Sequence, residues 1–235
     1  MSIKEKLKRE YLENWEKFSS IVKEGKLEPI KEKRVWLGRE TKKGLVSKYQ
    51  DLDIGNPPFL AAVFMLPSGV WESIQRIQAD LEKVDPNQKY YHPYYFHITL
   101  EEYGWEDQID LEELLETMKT ILSKYSSFDI QLKGLNCFPR TIYVQVFDPS
   151  QTFLRIFEDI RSSFSNLEEK PFEYIPHVSI AEILSNEASK LISLIAEKYR
   201  KTYIGKIKVE KIHIVRARPH LTVGRIEMLA EIPLK

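Results

Sequence analysis

The sequence has a single cysteine, Cys137, among its 235 residues, and so no pair that an internal disulfide would need. Chains without disulfides are typical of a reducing compartment, and we expect a cytoplasmic location. No apolar run approaches the roughly 18 residues needed to span a bilayer, so no membrane partner is expected. The N-terminus is too charged for a secretory signal.

The chain also lacks an excess of charge of either sign, because 35 Lys and Arg balance 35 Asp and Glu. Proteins that coat a long nucleic-acid duplex usually have a basic excess, so we expect any phosphate chemistry at a small local site. Spacings typical of metal sites, such as H-E-x-x-H or paired cysteines, are missing from the sequence. The sequence therefore predicts no metal and no other cofactor.

Residues 1–57 differ in pattern from the rest of the chain. The periodicity of apolar residues predicts an amphipathic helix over 2–24, and an irregular stretch with several glycines and prolines follows it. We interpret 1–57 as an N-terminal helical and irregular extension, which would dock a partner or cover a site. Residues 58–235 carry the hydrophobic patterns of an α+β domain.

The pattern of residues 58–138 is repeated in 141–235, so we expect a lobe from each unit. Each unit predicts strand, helix, strand, helix and strand, with a histidine on the middle strand. The second unit is expected to finish with a long strand over 204–217 and a last strand over 224–234. The sequence thus predicts two pseudo-symmetric β-α-β-α-β lobes, with antiparallel-rich sheets lining a central cleft and helices outside.

The two middle strands carry H-I-T-L at 97–100 and H-V-S-I at 177–180, an offset of 80 residues. On a strand, residues i and i+2 share a face, so each would present an imidazole beside a hydroxyl while the alternate apolar residues face the core. A third match begins at His220 but has no counterpart in the repeat. We interpret His220, His92 and His213 as structural.

Two imidazoles that face each other can catalyse displacement at phosphorus. Histidine titrates near neutrality, so one ring can remove a proton from a nucleophile while the other gives a proton to a leaving oxygen. The hydroxyls of Thr99 and Ser179 would donate hydrogen bonds to the non-bridging oxygens of a phosphate between them. The alternative is that both histidines have a structural role only.

On these residues the chain resembles the 2H phosphoesterase superfamily, and most of all its branch of 2′-5′ RNA ligases and 2′,3′-cyclic phosphodiesterases. The likeness rests on F-H-I-T-L-E-E-Y-G at 96–104 and P-H-V-S-I-A-E at 176–182, and it extends over about residues 58–235. It implies a bilobal fold with His97 and His177 as the acid–base pair in a central cleft. Either histidine could be the base.

The resemblance implies Thr99 and Ser179 as phosphate contacts. Aromatic residues cluster just before each motif, and Tyr95 and Tyr174 could stack on a base, with packing in the core as the alternative. Arg140 is our candidate for a phosphate clamp, because it opens a predicted strand.

The chain departs from the family where relatives often carry basic residues after the motifs. Glu101 and Glu102 follow the first motif here, and Glu182 follows the second. At the mouth of a cleft these acids would repel a long polyanion. We therefore expect a small or terminal phosphate as substrate, and no long duplex.

These observations predict a metal-independent phosphodiesterase that uses the two histidines as general acid and base. Its expected substrate is a 2′,3′-cyclic phosphate or a related phosphodiester on a nucleotide or an RNA terminus. RNA 2′-5′ end joining is the reverse reaction, with a hydroxyl in place of water, and is one alternative. A module that binds a nucleotide or RNA end without turnover is the other.

Overall fold

The structure of the chain is a computed structural model. It describes residues 58–138, 141–167, 174–183, 189–217 and 226–235. The extension over 1–57, with its predicted helix, lies outside the described residues.

The described residues form helices that carry one buried face each. Their bounds are α1 Trp71–Val84, α2 Leu111–Leu122, α3 Thr152–Ser163 and α4 Ser189–Lys198. On α1 the buried residues Ile74, Ile77 and Leu81 have the spacing of a single helix face, as predicted. The start of α2 is capped by Asp110, whose carboxylate accepts hydrogen bonds from the N–H groups of Glu112 and Glu113.

The described strands belong to a single sheet in which every pairing is antiparallel. Their bounds are β1 Phe59–Met65, β2 Lys89–Tyr90, β3 His97–Trp105, β4 Phe128–Phe138, β5 Thr141–Phe147, β6 His177–Glu182, β7 Tyr203–Val209, β8 Lys211–Ala217 and β9 Ile226–Pro233. The order is β7-β4-β5-β6-β3-β1-β8-β9, and the short β2 pairs with β6. The predicted α+β class with an antiparallel sheet is confirmed.

The sheet has two halves that meet at the two histidine strands, β3 and β6. From the centre outward, one half runs β3-β1-β8-β9 and the other runs β6-β5-β4-β7. The last strand of the first unit, β4, therefore lies in the half of the second unit, between β5 and β7. The last two strands of the second unit, β8 and β9, lie in the half of the first unit, beside β1. We call this arrangement the strand exchange. The repeat units of the sequence and the halves of the sheet are thus different sets of strands.

The prediction of a single long strand over 204–217 is wrong. Residues 203–209 form β7 beside β4, and residues 211–217 form β8 beside β1, with only Glu210 between them. Both segments alternate between buried and exposed residues along part of their length, so the pattern alone shows one continuous strand. The division depends on strand pairing, which periodicity does not report.

The helices pack on one face of the sheet and enclose the main core. Helices α1 and α4 contact each other, as do α2 and α3. The core joins residues from the helices to the inward residues of the strands, such as Ile98, Leu100, Val178 and Ile180. Because side chains alternate along a strand, the other face of the sheet carries the residues between these. That other face is the one with the two histidines.

Candidate active site

Each motif strand alternates as predicted. On β3, His97 and Thr99 are half-buried, whereas Ile98 and Leu100 are buried at 0% and 1% exposure. On β6 the pattern is the same, with His177 and Ser179 half-buried between buried neighbours. The apolar residues anchor both strands to the helix side, so each imidazole shares a sheet face with a hydroxyl.

The two motif strands are neighbours in the sheet. They are joined by one pair of residues, Ile98 opposite Val178. Antiparallel register then sets His97 opposite Ser179 and Thr99 opposite His177, with all four side chains on one face. We call the face of the sheet with these four residues the site face. The repeat thus brings together the four residues that the sequence predicted to act together.

Both imidazoles are held by the same kind of hydrogen bond. The Nδ1 atom of His97 lies 2.7 Å from the carbonyl oxygen of Tyr95, and Nδ1 of His177 lies 2.7 Å from that of Ile175. A carbonyl can only accept, so Nδ1 carries the proton in both rings. Nε2 therefore carries the lone pair of each neutral ring and is the atom that takes up a proton.

Burial lowers the pKa of both histidines. For His97 the main cause is loss of hydration, and the bond to the Tyr95 carbonyl opposes it. The pKa of His177 falls to about 4, first through burial and further through repulsion by the imidazole of His97. The effect of the His97 ring on the pKa of His177 agrees with the position of both rings on the site face. A bound phosphate anion would raise both pKa values, because it stabilises the charged ring.

The strands that flank the motifs differ between the two halves. Met65 and Val63 on β1 lie opposite His97 and Thr99. At the same offset of 80 residues, Gln145 and Tyr143 on β5 lie opposite His177 and Ser179.

Opposed residues share a face, so the site face is apolar beside the first motif and polar beside the second. The ring of Tyr143 also packs edge-on against His177, with 5.2 Å between centroids. Sequence analysis missed these flanking residues, although the offset of the repeat would have located them.

The structure describes two of the three other candidate binding residues. Tyr95 is buried at 3% exposure, and its carbonyl oxygen bonds Nδ1 of His97. The hydroxyl of Tyr174 donates to the carbonyl of Thr99 at 3.0 Å, and its ring stacks on Phe157. Arg140 lies outside the described residues.

The acidic residues after the motifs require a correction. The side chain of Glu101 is buried and lies 2.8 Å from the guanidinium of Arg161. Glu182 is also buried, and its carboxylate is 3.6 Å from Nζ of Lys89. Only Glu102 is exposed among these three acids. Because two of the three charges are buried and paired, the expected repulsion of a long polyanion at a cleft mouth loses most of its basis.

The structure describes two of the three remaining histidines, His213 and His92. Nδ1 of His213, which is buried, accepts a hydrogen bond from the backbone N–H of Met65 at 3.3 Å. His92 is exposed, accepts a bond from the N–H of Tyr94 and stacks on the Tyr94 ring. His220 lies outside the described residues.

The described part of the chain contains neither a cluster of metal-ligating side chains nor a helix able to span a membrane. Within 58–138, 141–167, 174–183, 189–217 and 226–235, no three residues of His, Cys, Asp and Glu come together in a group that could hold a metal ion. In the same ranges, no helix has both the length and the apolar character that crossing a membrane requires.

Comparison with known proteins gives the same family as the motifs. The family model described as the 2′-5′ RNA ligase superfamily matches residues 66–220. A protein named RNA 2′,3′-cyclic phosphodiesterase from Methanothermobacter thermautotrophicus is 24% identical over 158 residues, which are 65% of this chain and 85% of that protein. A protein of the same name from Methanocaldococcus jannaschii is 27% identical over 125 residues, 52% of this chain and 70% of that protein.

Solved structures share the fold at low sequence identity. LigT of E. coli, in a crystal structure with 3′-AMP, aligns with a TM-score of 0.57 and 16% identity, over 77% of this chain and 99% of that one. The protein TT0787 of Thermus thermophilus aligns with a TM-score of 0.56 and 20% identity, over 75% of this chain and 97% of that one.

Fold and family together define an enzyme of the phosphodiesterase class, a hydrolase. The chain belongs to the 2′-5′ RNA ligase superfamily, the 2H phosphoesterases.

Proposed function

We propose that the chain opens 2′,3′-cyclic phosphates on nucleotides or RNA ends, with His97 and His177 as general acid and base. The observation that carries this proposal is the matched bond of each Nδ1 atom to a backbone carbonyl at 2.7 Å. It leaves two Nε2 atoms for proton transfer on one face of the sheet. The two relatives named RNA 2′,3′-cyclic phosphodiesterase support the choice of substrate.

The reaction follows from the four residues of the motifs. A neutral imidazole takes a proton from water, the water oxygen forms a bond to phosphorus, and the bond from phosphorus to one ribose oxygen breaks. The protonated imidazole gives its proton to that leaving oxygen, and the product is a phosphate monoester. The hydroxyls of Thr99 and Ser179 donate to the non-bridging oxygens, where negative charge is held during the displacement.

The lowered pKa values of His97 and His177 in the free protein favour a mechanism in which the bound substrate promotes protonation of one imidazole. Both imidazoles have lowered pKa values, so both are largely neutral at pH 7 before substrate binds. The anionic phosphate favours protonation of one ring, because opposite charge at close range raises the pKa of a base. Binding of substrate thereby produces the acid and base pair that the reaction needs.

The proposal predicts that His97→Ala and His177→Ala each lower turnover of a 2′,3′-cyclic nucleotide by about 10²–10⁴-fold, since each removes one proton-transfer step. We would measure product by chromatography, with and without EDTA, and expect EDTA to leave the rate unchanged. His92→Ala is the matched control, because His92 is exposed and should keep the wild-type rate. Full activity in either motif variant would contradict the proposal.

RNA 2′-5′ end joining is the second candidate, because it uses the same displacement in reverse. The matched family is described as the 2′-5′ RNA ligase superfamily, which supports RNA end joining as a candidate function. Incubation of a cyclic-phosphate RNA end with a 5′-hydroxyl RNA would separate the two activities, since a joined product requires a hydroxyl as nucleophile. Tight binding with no product from any substrate would instead support the binding module.

A cytoplasmic location stays a prediction from the single cysteine.

A further inference from the structure

The distance between the two histidines is weakly fixed by the backbone of the sheet. Strands β3 and β6 share only the pair Ile98 and Val178, whereas β5 and β6 share five pairs. A ladder of one pair leaves the strands free to pivot, because neighbouring hydrogen-bonded pairs normally hold the angle between them. Other contacts must therefore fix the separation of His97 from His177.

Tyr174 makes such a contact across the junction of the two halves. It lies three residues before His177, yet its hydroxyl donates to the carbonyl of Thr99, at 3.0 Å, on the other motif strand. Its ring stacks on Phe157 of α3, with 4.5 Å between centroids and 12° between planes. Burial raises the pKa of Tyr174 far above its ordinary value, so the hydroxyl remains a donor.

Helix α3 also contacts β3 at a second residue, Glu101. Arg161 on α3 forms an ion pair with the buried carboxylate of Glu101, two residues beyond Thr99. The Arg161 guanidinium also lies over the ring of Phe157, at 5.7 Å from its centroid. The second repeat unit thus holds β3 at Thr99, within the motif, through Tyr174, and at Glu101, directly after the motif, through Arg161.

The first repeat unit holds β6 in a similar way, one residue further along the repeat at each point. The amide nitrogen of Gln78, on α1, donates to the carbonyls of Tyr91 and Ile180, each at 2.8 Å. Ile180 is the residue directly after Ser179, and Lys89 pairs with Glu182 two residues later. Each motif strand is therefore held by side chains of the other unit, at its hydroxyl residue or just beyond it.

We propose that Tyr174 is a positioning residue, whose hydroxyl bond to the Thr99 carbonyl sets the separation of His97 from His177. Tyr174 acts on the proposed cyclic phosphodiesterase reaction through the strands and has no contact with substrate in this role. The expected effect of Tyr174 on kinetics rests on the proposed function. Its expected effect on the separation of the two histidines does not. Loss of the hydroxyl would let β3 and β6 separate while the stack on Phe157 keeps the local fold.

The test is Tyr174→Phe in the full chain, which removes one oxygen and retains the ring. We expect kcat for a 2′,3′-cyclic nucleotide to fall about tenfold with KM within twofold, because displacement of a catalytic group affects the transition state more than binding. We also expect the pKa of His177, followed by NMR, to rise as the repulsion from His97 weakens. The histidine signals would be assigned with His97→Gln and His177→Gln.

Tyr125→Phe is the matched control, because the Tyr125 hydroxyl donates to Asp159 of α3, at 3.0 Å, and not to a motif strand. It should leave kcat, KM and both histidine pKa values unchanged. Wild-type values for Tyr174→Phe in both readouts would overturn the inference. A rise in KM alone, with unchanged histidine pKa values, would also overturn it and assign Tyr174 to substrate binding. A wild-type protein without turnover would contradict the proposed function only, since the NMR titration still reports the positioning.

Discussion

The imidazole rings of His97 and His177 are oriented by carbonyl groups of the backbone. Each Nδ1 atom bonds a carbonyl two residues earlier in the chain, at 2.7 Å. A neutral carbonyl fixes the tautomer but stabilises the charged ring less than a carboxylate would. Burial therefore decides the direction of the pKa shift, and both rings become weaker bases than free histidine.

The lowered pKa values predict the pH dependence of kcat/KM. In the proposed mechanism, the productive form of the free enzyme has one neutral and one protonated imidazole, and this form is most abundant between the two pKa values. Both values lie below the ordinary 6.5, so we expect the optimum of kcat/KM below pH 6.5. The rate should fall on the alkaline side, as the acid loses its proton there.

This profile would be measured with a 2′,3′-cyclic nucleotide over pH 4 to 9, a range in which the substrate phosphate stays a monoanion. The control is the pH profile of kcat, which reports the pKa values of the histidines in the enzyme–substrate complex. Its optimum should lie at higher pH than that of kcat/KM, because bound phosphate raises the pKa of the histidines. An optimum of kcat/KM above pH 7.5 would contradict histidines of lowered pKa as the acid–base pair.

Among the strands, β4 depends on a backbone conformation that only glycine adopts easily. Gly134 has φ of +76°, at a point where the register of β4 with β5 is interrupted. A Cβ atom there would lie 2.3 Å from the carbonyl oxygen of Arg200. The interruption lets the N–H of Gly134 bond the carbonyl of Thr202, which precedes β7. Gly134 thus connects the outermost strand to its half of the sheet.

We expect Gly134→Ala to lower the free energy of unfolding by about 2–4 kcal/mol, from backbone strain and the clash with Arg200. Urea denaturation followed by circular dichroism would measure it. Gly69→Ala is the matched control, because nothing lies within 4 Å of its added Cβ and its φ is not positive. That control should change the free energy of unfolding by less than about 1 kcal/mol. Equal stabilities of the two variants would contradict the role of Gly134.

At the scale of the whole molecule, the sequence predicted the repeat, most of the described helices and strands, and the face of each motif residue. These depend on local periodicity, which the alternation at His97–Thr99 and His177–Ser179 satisfies. Periodicity tells which face a residue occupies but not which strand lies beside it. The strand exchange, the end of β7 before Glu210 and the hydrogen bond from Tyr174 to Thr99 all depend on pairing between distant segments, so they required coordinates.

The strand exchange predicts that neither repeat unit folds alone. A chain cut between β4 and β5 would give fragments 1–138 and 139–235. The first would lack the partners of β4 and the strand β8 beside β1, and the second would lack the strand between β5 and β7. We expect each fragment to be unfolded by far-UV circular dichroism, and an equimolar mixture to regain the native spectrum.

The intact chain taken through unfolding and refolding is the control for the mixture, since it shows whether recovery is possible under the same conditions. Recovery should depend on protein concentration, because the two fragments must associate before either sheet half is complete. A cooperative thermal transition in either fragment by itself would contradict the prediction.

The 80-residue equivalence has a stereochemical consequence. A site built from two nearly identical halves would accept a phosphodiester in either of two senses, related by a half turn about phosphorus. The side chains that flank the motifs break this equivalence, with Val63 and Met65 on one strand against Tyr143 and Gln145 on the other. In the proposed reaction, these residues, which take no part in proton transfer, would decide which ribose oxygen departs.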